Sequence, residues 1–159
     1  MGHGVADLSD NALSNLIDVA AGRTPADLLL TNSNIVNVMS HEIVRGSLAI
    51  YGDRIVGIGD YKATRTVDLA GRYLCPGLID AHVHIESSML NVPEFARVVA
   101  SRGTTTVVAD PHEFANVMGI EGIRKVLSWV DRVPIELYVT LSSCVPASPL
   151  ESAGAVVRA

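Results

Sequence analysis

The chain has 159 residues, enough for one ordinary domain, and it is 48% hydrophobic and 18% charged. This apolar composition argues against intrinsic disorder and suits a parallel α/β sheet, whose strands are covered on both faces. The net charge of -5 and the scattered basic residues argue against a nucleic-acid-binding protein.

The sequence carries no pattern typical of export or membrane insertion. Its first residues, Met1-Gly2-His3-Gly4, lack the basic start and apolar core of a signal peptide. No apolar run reaches the roughly 18 residues of a membrane span. Cys75 and Cys144 do not form a CxxC pair, and a buried thiol is the simplest interpretation of each. We therefore expect a reduced, cytoplasmic protein.

The first predicted element is a short helix over residues 8–21. Four apolar residues recur in it at helical spacing: Leu13, Leu16, Ile17 and Ala20. Gly22 suits the end of this helix, and Thr24-Pro25 then breaks the helical run. Residues 1–25 are thus expected to form a helix and a lead-in.

Residues 26–75 read as short strands separated by turns, and we predict a small antiparallel β domain there. The predicted strands cover residues 27–31, 35–39, 42–44, 47–51, 54–58 and 67–74. Gly52-Asp53 between two apolar runs indicates a two-residue hairpin. Because a unit of roughly 50 residues is marginal on its own, we expect it to be part of a larger domain.

Residues 76–159 change to an alternation of strands and helices. The predicted strands cover residues 78–84, 104–109 and 136–141, and the predicted helices cover 93–102 and about 120–132. This order is typical of a parallel sheet. Since a closed eight-stranded barrel takes roughly 250 residues, we expect the first three βα units of an incomplete barrel. The chain is then expected to be a fragment with an exposed sheet edge.

The first polar cluster lies at the end of the first of these strands, in Asp80-Ala81-His82-Val83-His84. Residues two apart in a strand point to the same face, so the two imidazoles are expected to project together. Such a pair can bind one divalent ion, for example Zn, Fe, Mn or Ni. A His-x-His match alone is moderate evidence, and the polar run Glu86-Ser87-Ser88 after the strand strengthens it.

The second cluster, Asp110-Pro111-His112-Glu113, follows the next strand. Pro111 lacks an N–H and so ends the sheet ladder. Its polar neighbours are all able to bind a metal. A helix N-terminus, where acidic side chains are favoured by the helix dipole, explains the cluster equally well.

The third cluster, Ser142-Ser143-Cys144, follows the third strand. No His or Asp lies at a spacing that would make it nucleophilic, so polar loop lining or turn chemistry is favoured. Polar clusters at three successive strand ends are nevertheless what the mouth of a barrel predicts.

These motifs resemble the amidohydrolase superfamily and, within it, bacterial adenine deaminases. Pro76-Gly77-Leu78-Ile79-Asp80-Ala81-His82-Val83-His84 is similar to the superfamily signature at the first barrel strand. The more particular resemblance lies in Ile85-Glu86-Ser87-Ser88-Met89, Asp110-Pro111-His112-Glu113, Asn116-Val117-Met118-Gly119 and Ser142-Ser143-Cys144-Val145-Pro146-Ala147. It extends from about residue 7 to the end of the chain.

The resemblance implies an α/β fold, with the N-terminal part of a distorted (β/α)8 TIM-type barrel preceded by a small β domain. It implies hydrolytic deamination of adenine to hypoxanthine and ammonia in purine salvage, through a metal-activated hydroxide. The cofactor would be a divalent metal, manganese or iron, in a binuclear site of the complete enzyme. The implied partner is small-molecule adenine, not nucleic acid or a membrane, and we expect a homo-oligomer or association through the exposed sheet edge.

The resemblance also suggests roles for particular residues. The candidate metal ligands are His82, His84, His112 and Glu113. The candidate catalytic residues for proton transfer are Glu86 and Glu113, which are the acidic residues nearest the predicted site. The candidate substrate contacts are Ser87, Ser88 and Asp110.

Two other interpretations remain open. One keeps the fold and changes the substrate to a cyclic amide or an acetamido group, as in another amidohydrolase. The other is a non-catalytic, truncated piece that binds metal weakly or associates with a complementary chain. In either case we expect the 159-residue chain alone to be inactive.

Overall fold

A computed structural model of the chain describes residues 10–142, 145, 146, 148, 150, 152 and 154–157. The chain divides into two compact units, with the boundary between Pro76 and Gly77. Within the described residues, no helix is both long and apolar enough to cross a membrane.

The first unit begins with helix α1, Asp10–Ala20. The helix buries Val19 completely, whereas Ile17 of the predicted apolar stripe stays 52% exposed. The N–H of Gly22 donates to the carbonyl oxygen of Val19 at 2.9 Å, and the positive φ of Gly22, 72°, ends the helix there.

Five strands follow in the first unit, and they form one sheet. They are β1 (Ala26–Asn37), β2 (Glu42–Tyr51), β3 (Arg54–Ile58), β4 (Ala63–Asp68) and β5 (Tyr73–Leu74). The order is β3-β2-β1-β4, and β5 also pairs with β1. The hairpin expected at Gly52-Asp53 joins β2 to β3, and the φ of 58° at Gly52 suits its glycine.

The prediction that this sheet is antiparallel is wrong for two strands. β1 pairs antiparallel with β2 but parallel with both β4 and β5. Alternating apolar residues identify strands but carry no information about their direction, which the connections decide. The sheet is therefore mixed.

Strand boundaries in this unit also differ from those predicted. The two predicted strands 27–31 and 35–39 form the single strand β1, whose register shifts between Leu30 and Ser33. Asn32 has a positive φ of 52° within this irregularity, so the polar run marks a bulge and not a turn. The predicted strand 67–74 is instead split by a turn at Ala70 and Gly71, which both have positive φ.

The core of the first unit is small. Its main cluster consists of Val19, Ala26, Leu29 and Ala49, and Ile35 and Leu48 are buried outside that cluster. A separate apolar pocket of the same unit is lined by residues that include Leu30, Leu48, Ile50 and Cys75. Cys75 is an exposed free thiol, so the interpretation of this cysteine as buried is wrong, and Cys144 lies outside the described residues.

The second unit has three parallel strands with helices between them. The strands are β6 (Leu78–Val83), β7 (Thr104–Ala109) and β8 (Glu136–Val139), in that order. The helices are α2 (Val92–Ala100), α3 (His112–Met118) and α4 (Ile120–Leu127), with 3-10 turns at Ile85–Ser88 and Val130–Arg132. The predicted alternation of strand and helix, and with it an α/β fold, is confirmed.

Nine buried apolar residues form the core of this unit: Ile85, Val92, Phe95, Ala96, Val107, Ala109, Val126, Ile135 and Leu137. They come from β7, β8 and the residue before it, the 3-10 turn after β6, and helices α2 and α4. The side chain of Asn91 caps α2 by accepting a hydrogen bond from the N–H of Glu94 at 3.0 Å. This cap satisfies a backbone N–H in the first turn of α2.

The helical segment after β7 is divided where the sequence suggested one later helix. Gly119, with φ 63° and ψ -147°, separates α3 from α4. α3 already begins at His112, so the polar run after β7 is also a helix N-terminus, as its alternative interpretation proposed. The two explanations of the second polar cluster are therefore compatible.

Candidate metal centre

The three parallel strands bring their carboxyl ends to one edge of the sheet. Backbone pairing continues beyond each strand: the N–H of Asp110 donates to the carbonyl oxygen of Val83 at 3.0 Å, and the N–H of Thr140 donates to that of Ala109 at 2.9 Å. The polar residues that follow neighbouring strands are therefore held next to one another. This edge is where α/β proteins place their ligands.

His82 and His84 meet at this edge, as their period-2 spacing predicts. Their Nε2 atoms lie 3.2 Å apart. Two imidazole nitrogens that bind one ion at ~2.0–2.1 Å in a tetrahedral arrangement are separated by about 3.3 Å. The pair thus has the spacing that chelation of a single divalent ion requires.

The other nitrogen of His84 lies close to a backbone acceptor. Nδ1 is 3.2 Å from the carbonyl oxygen of Asp110. A carbonyl can only accept, so this contact favours the tautomer that carries its proton on Nδ1. The lone pair then resides on Nε2, the atom that faces His82, and metal-binding histidines commonly have such a partner on their second nitrogen.

Two overlapping groups of potential ligand atoms surround His84. His82, His84 and Asp110 form one group, and His84, His112 and Glu113 form the other, with the ligand atoms of each group within 4.8 Å of one another. The rings of His84 and His112 also pack edge to face, with centroids 4.7 Å apart. The structure therefore brings together all four predicted metal ligands and adds Asp110.

The carboxylate of Asp110 is held by two donors on the same oxygen. Oδ1 accepts from the hydroxyl of Ser142 at 2.6 Å and from the N–H of His112 at 3.2 Å. Burial raises the pKa of Asp110, but the Ser142 hydrogen bond, the His112 charge and backbone N–H, and the His84 charge together lower it below its usual value. Asp110 is thus a charged carboxylate, as a cation ligand must be.

Glu86 lies between the first and second polar clusters, and the hydrogen bond that its carboxylate accepts stabilises a helix. Its Oε1 accepts from the N–H of Phe114, in the first turn of α3, at 3.1 Å. Oε2 is buried and has no hydrogen-bond partner among the residues that the structure describes. Glu86 thereby caps the helix that carries His112 and Glu113, and its catalytic role stays a prediction.

The predicted substrate contacts Ser87 and Ser88 lie in the turn after β6. The hydroxyl of Ser88 donates to the carbonyl oxygen of Ile85 at 2.6 Å and accepts from the N–H of Leu90 at 3.2 Å. Ser87 is exposed, and its N–H donates to the carbonyl oxygen of His84 at 3.2 Å. Both contacts shape the turn, and a role towards substrate stays a prediction.

Ser142 is the site residue that sequence reasoning missed. Its cluster was interpreted as loop lining or turn chemistry, whereas its hydroxyl reaches across the edge of the sheet to Asp110. The sequence did contain a signal for this contact. Ser142 lies just after β8, and β8 is the neighbour of β7, the strand that precedes Asp110. The other two members of that cluster, Ser143 and Cys144, lie outside the described residues.

The donor set fits a first-row divalent ion. It contains three imidazoles and two carboxylates at one edge, and these donors suit iron, zinc and manganese better than a soft ion that prefers sulfur. The paired Nε2 atoms supply the geometric part of this fit. The residues present are therefore able to hold such an ion.

Sequence comparison identifies close relatives. The chain is 55% identical over 149 residues to the adenine deaminase of Geobacillus kaustophilus, which covers 94% of this chain and 26% of that protein. It is 54% identical over 143 residues to the adenine deaminase of Clostridium acetobutylicum, which covers 90% of this chain and 25% of that protein. The chain thus spans about a quarter of the length of the curated relatives it matches.

Structure comparison finds a related fold. The structure of N-acyl-D-glutamate deacylase from Bordetella bronchiseptica, complexed with zinc and a phosphonate inhibitor, aligns with a TM-score of 0.59 and 21% identity. The alignment covers 77% of this chain and 30% of that one. At this identity the likeness concerns the fold alone.

The sequence profile of the Amidohydrolase family matches residues 73–159, which is more than half of the chain. The matched segment contains every strand end at which the candidate ligands lie. The chain belongs to the amidohydrolase family.

Proposed function

We propose that the chain provides the metal-binding N-terminal part of an adenine deaminase, an enzyme that hydrolyses adenine to hypoxanthine and ammonia. The observation that carries this proposal is the 3.2 Å separation of the His82 and His84 Nε2 atoms at a strand end. The names of its relatives, at 55% and 54% identity, support adenine as the substrate. We place this activity in purine salvage in the cytoplasm, a reducing setting that suits the free thiol of Cys75.

We assign His82 and His84 as ligands of one divalent ion, manganese or iron. His112 and Glu113, whose ligand atoms lie within 4.8 Å of that of His84, support a second ion in the complete enzyme, with His84 itself bound to the first ion through Nε2. Asp110, predicted as a substrate contact, fits better as a ligand because it shares a group with both strand-end histidines. When bound, such an ion supplies Lewis acidity and lowers the pKa of bound water towards about 7.

The two candidate proton-transfer residues differ in how they are placed. The carboxylate of Glu113 lies within 4.8 Å of ligand nitrogens of His84 and His112. Glu86 is engaged through Oε1 by the N–H of Phe114. Glu113 serves either as a ligand of the second ion or, when it is not bound to that ion, as the residue that delivers a proton to the leaving amine, and we assign Glu86 the role of holding the helix that bears Glu113. Ser87 and Ser88 remain candidate contacts for the purine.

We also propose that β6, β7 and β8 are the first three strands of a distorted (β/α)8 barrel, preceded by the small β domain. Among the described residues, β6 and β8 each pair with β7 alone, so the sheet has two open edges. Apolar side chains are exposed on these strands, with Leu78 at 59%, Ile79 at 69% and Tyr138 at 51%. An exposed apolar edge requires further strands or a second copy to cover it.

The direct test is the reaction of the full-length protein, loaded with Mn²⁺ or Fe²⁺, with adenine. We expect stoichiometric hypoxanthine and ammonia, and loss of turnover by orders of magnitude in the variants H82A and H84A. The matched control is H41Q, which changes an exposed histidine in a turn of the first unit. Hydrolysis of a cyclic amide or an acetamido compound without any action on adenine would instead identify another amidohydrolase.

A further inference from the structure

The hydroxyl of Ser142 forms a contact that turn formation does not require. It reaches from just beyond β8 to a carboxylate beyond β7 and donates to Oδ1 of Asp110 at 2.6 Å. Both side chains are partly buried. A hydrogen bond from a hydroxyl to a carboxylate at this distance is charge-assisted and stronger than a neutral one.

This contact holds the side-chain carboxylate of Asp110, whose backbone is already held by other contacts. The backbone of Asp110 is already tied on both sides, by the N–H that donates to Val83 and by the carbonyl oxygen near Nδ1 of His84. Oδ1 also accepts from the N–H of His112 at 3.2 Å. With two donors on Oδ1, the carboxylate cannot rotate freely, and among the residues that the structure describes Oδ2 is the oxygen left available.

The second oxygen of Asp110 lies near the ring of His112. Oδ2 is 3.8 Å from Nδ1 of His112, too far for a hydrogen bond. Asp110 offers a ligand atom within 4.8 Å of those of His82 and His84. The carboxylate of Asp110 thus lies in the group that contains His82 and His84, and it has one oxygen beyond the one held by Ser142 and His112, as a carboxylate that binds a cation would.

We propose that Ser142 is a positioning residue of the metal centre, whose hydroxyl holds the Asp110 carboxylate so that Oδ2 is directed at a divalent cation. This inference rests on the proposed function, because it takes the strand-end histidines as the cation site. In this proposal Ser142 acts through the hydroxyl proton that it donates to Asp110, and not as a ligand. It acts through a residue 32 positions earlier in the chain.

The test compares two variants that have almost the same shape. S142T keeps a hydroxyl and S142V replaces it with a methyl group, so their difference isolates the hydrogen bond. We expect S142V to bind Mn²⁺ about 10–100-fold more weakly than S142T, the usual effect of removing an outer partner of a metal ligand. The readout is the Mn²⁺ dissociation constant of the full-length protein, measured by titration followed by electron paramagnetic resonance.

Two controls separate positioning from a general structural effect. S128V removes an exposed hydroxyl that donates to the carbonyl oxygen of Lys125, and it should leave Mn²⁺ affinity unchanged. In a D110A background, S142V and S142T should bind Mn²⁺ equally, because Ser142 acts only through Asp110. If S142V does not fold, as judged by circular dichroism, S142A replaces it in both comparisons.

The outcomes are distinct. Equal Mn²⁺ affinity of S142V and S142T, with wild-type binding intact, would overturn the role of Ser142 and leave the proposed function standing. If S142V still bound Mn²⁺ more weakly than S142T in the D110A background, by the same factor as when Asp110 is present, that result would also overturn it. Failure of the wild-type protein to bind Mn²⁺ would overturn both the proposed metal centre and the inference built on it.

Discussion

His84 lies in contact with both of its neighbouring histidines, and its Nε2 atom is 3.2 Å from Nε2 of His82. Its ring packs against that of His112 at a centroid distance of 4.7 Å. His84 is thus the member common to both groups of candidate ligands, whereas His82 belongs to only one. The two histidines of the strand-end motif are therefore not equivalent.

The first prediction follows from this difference. H84A should lower bound metal further than H82A, because Nε2 of His84 completes either group of ligand atoms, whereas the loss of His82 leaves the group of His84, His112 and Glu113 intact. Metal content after reconstitution with Mn²⁺ and gel filtration, measured by inductively coupled plasma mass spectrometry, gives the comparison. Equal metal content in H82A, H84A and the control H41Q would show that neither histidine is a ligand.

The second prediction concerns the helix cap formed by Glu86. E86A removes the acceptor for the N–H of Phe114 and should lower the free energy of unfolding by about 1 kcal/mol, the typical cost of a lost cap. E86Q keeps an oxygen acceptor and should cost less. Urea denaturation of the two variants checks this order. Stability of E86A equal to that of the unchanged protein would contradict the capping role.

The third prediction concerns the close approach of α3 and α4. A Cβ added at Gly122 would lie 2.5 Å from the carbonyl oxygen of Phe114, so G122A should destabilise the second unit by roughly 1–3 kcal/mol. The control is G46A, since a Cβ at Gly46 would meet nothing closer than Ile58 at 3.9 Å. The melting temperatures of both variants are the measurement. A larger effect of G46A would refute the packing argument.

The fourth prediction concerns the open edges of the second sheet. The 159-residue chain alone should self-associate and lack adenine deaminase activity, because β6 exposes Leu78 and Ile79 beside an unpaired edge. I79K should shift the chain towards the monomer by placing a charge on that edge. Light scattering coupled to gel filtration gives the mass. A stable 16.8 kDa monomer with robust turnover would contradict this prediction.

The features predicted well from sequence are those that depend on local geometry. The period-2 spacing of His82, in β6, and His84, the still extended residue after it, is enough to place their imidazoles side by side, because side chains alternate along an extended chain. The alternation of strands and helices from β6 to β8 likewise follows from periodicity. These features require no knowledge of what the strands pair with.

The features that were missed depend on neighbours distant in sequence. The parallel pairing of β4 with β1 depends on the path of the chain between these strands, and the alternation of apolar residues carries no information about that path. The contact of Ser142 with Asp110 depends on the register of β8 against β7 and spans 32 positions. The exposure of Cys75 likewise follows from the tertiary surroundings and not from the residue type. Such relationships become visible only once the sheet is assembled.

The central claim is that His82 and His84 bind one divalent ion between them. A crystal of the full-length protein soaked in Mn²⁺, with data collected at the manganese absorption edge, tests it directly. We expect an anomalous peak in coordination contact with Nε2 of both residues, where these atoms lie 3.2 Å apart. A fully occupied manganese peak that contacts neither imidazole, or only one of them, would contradict it.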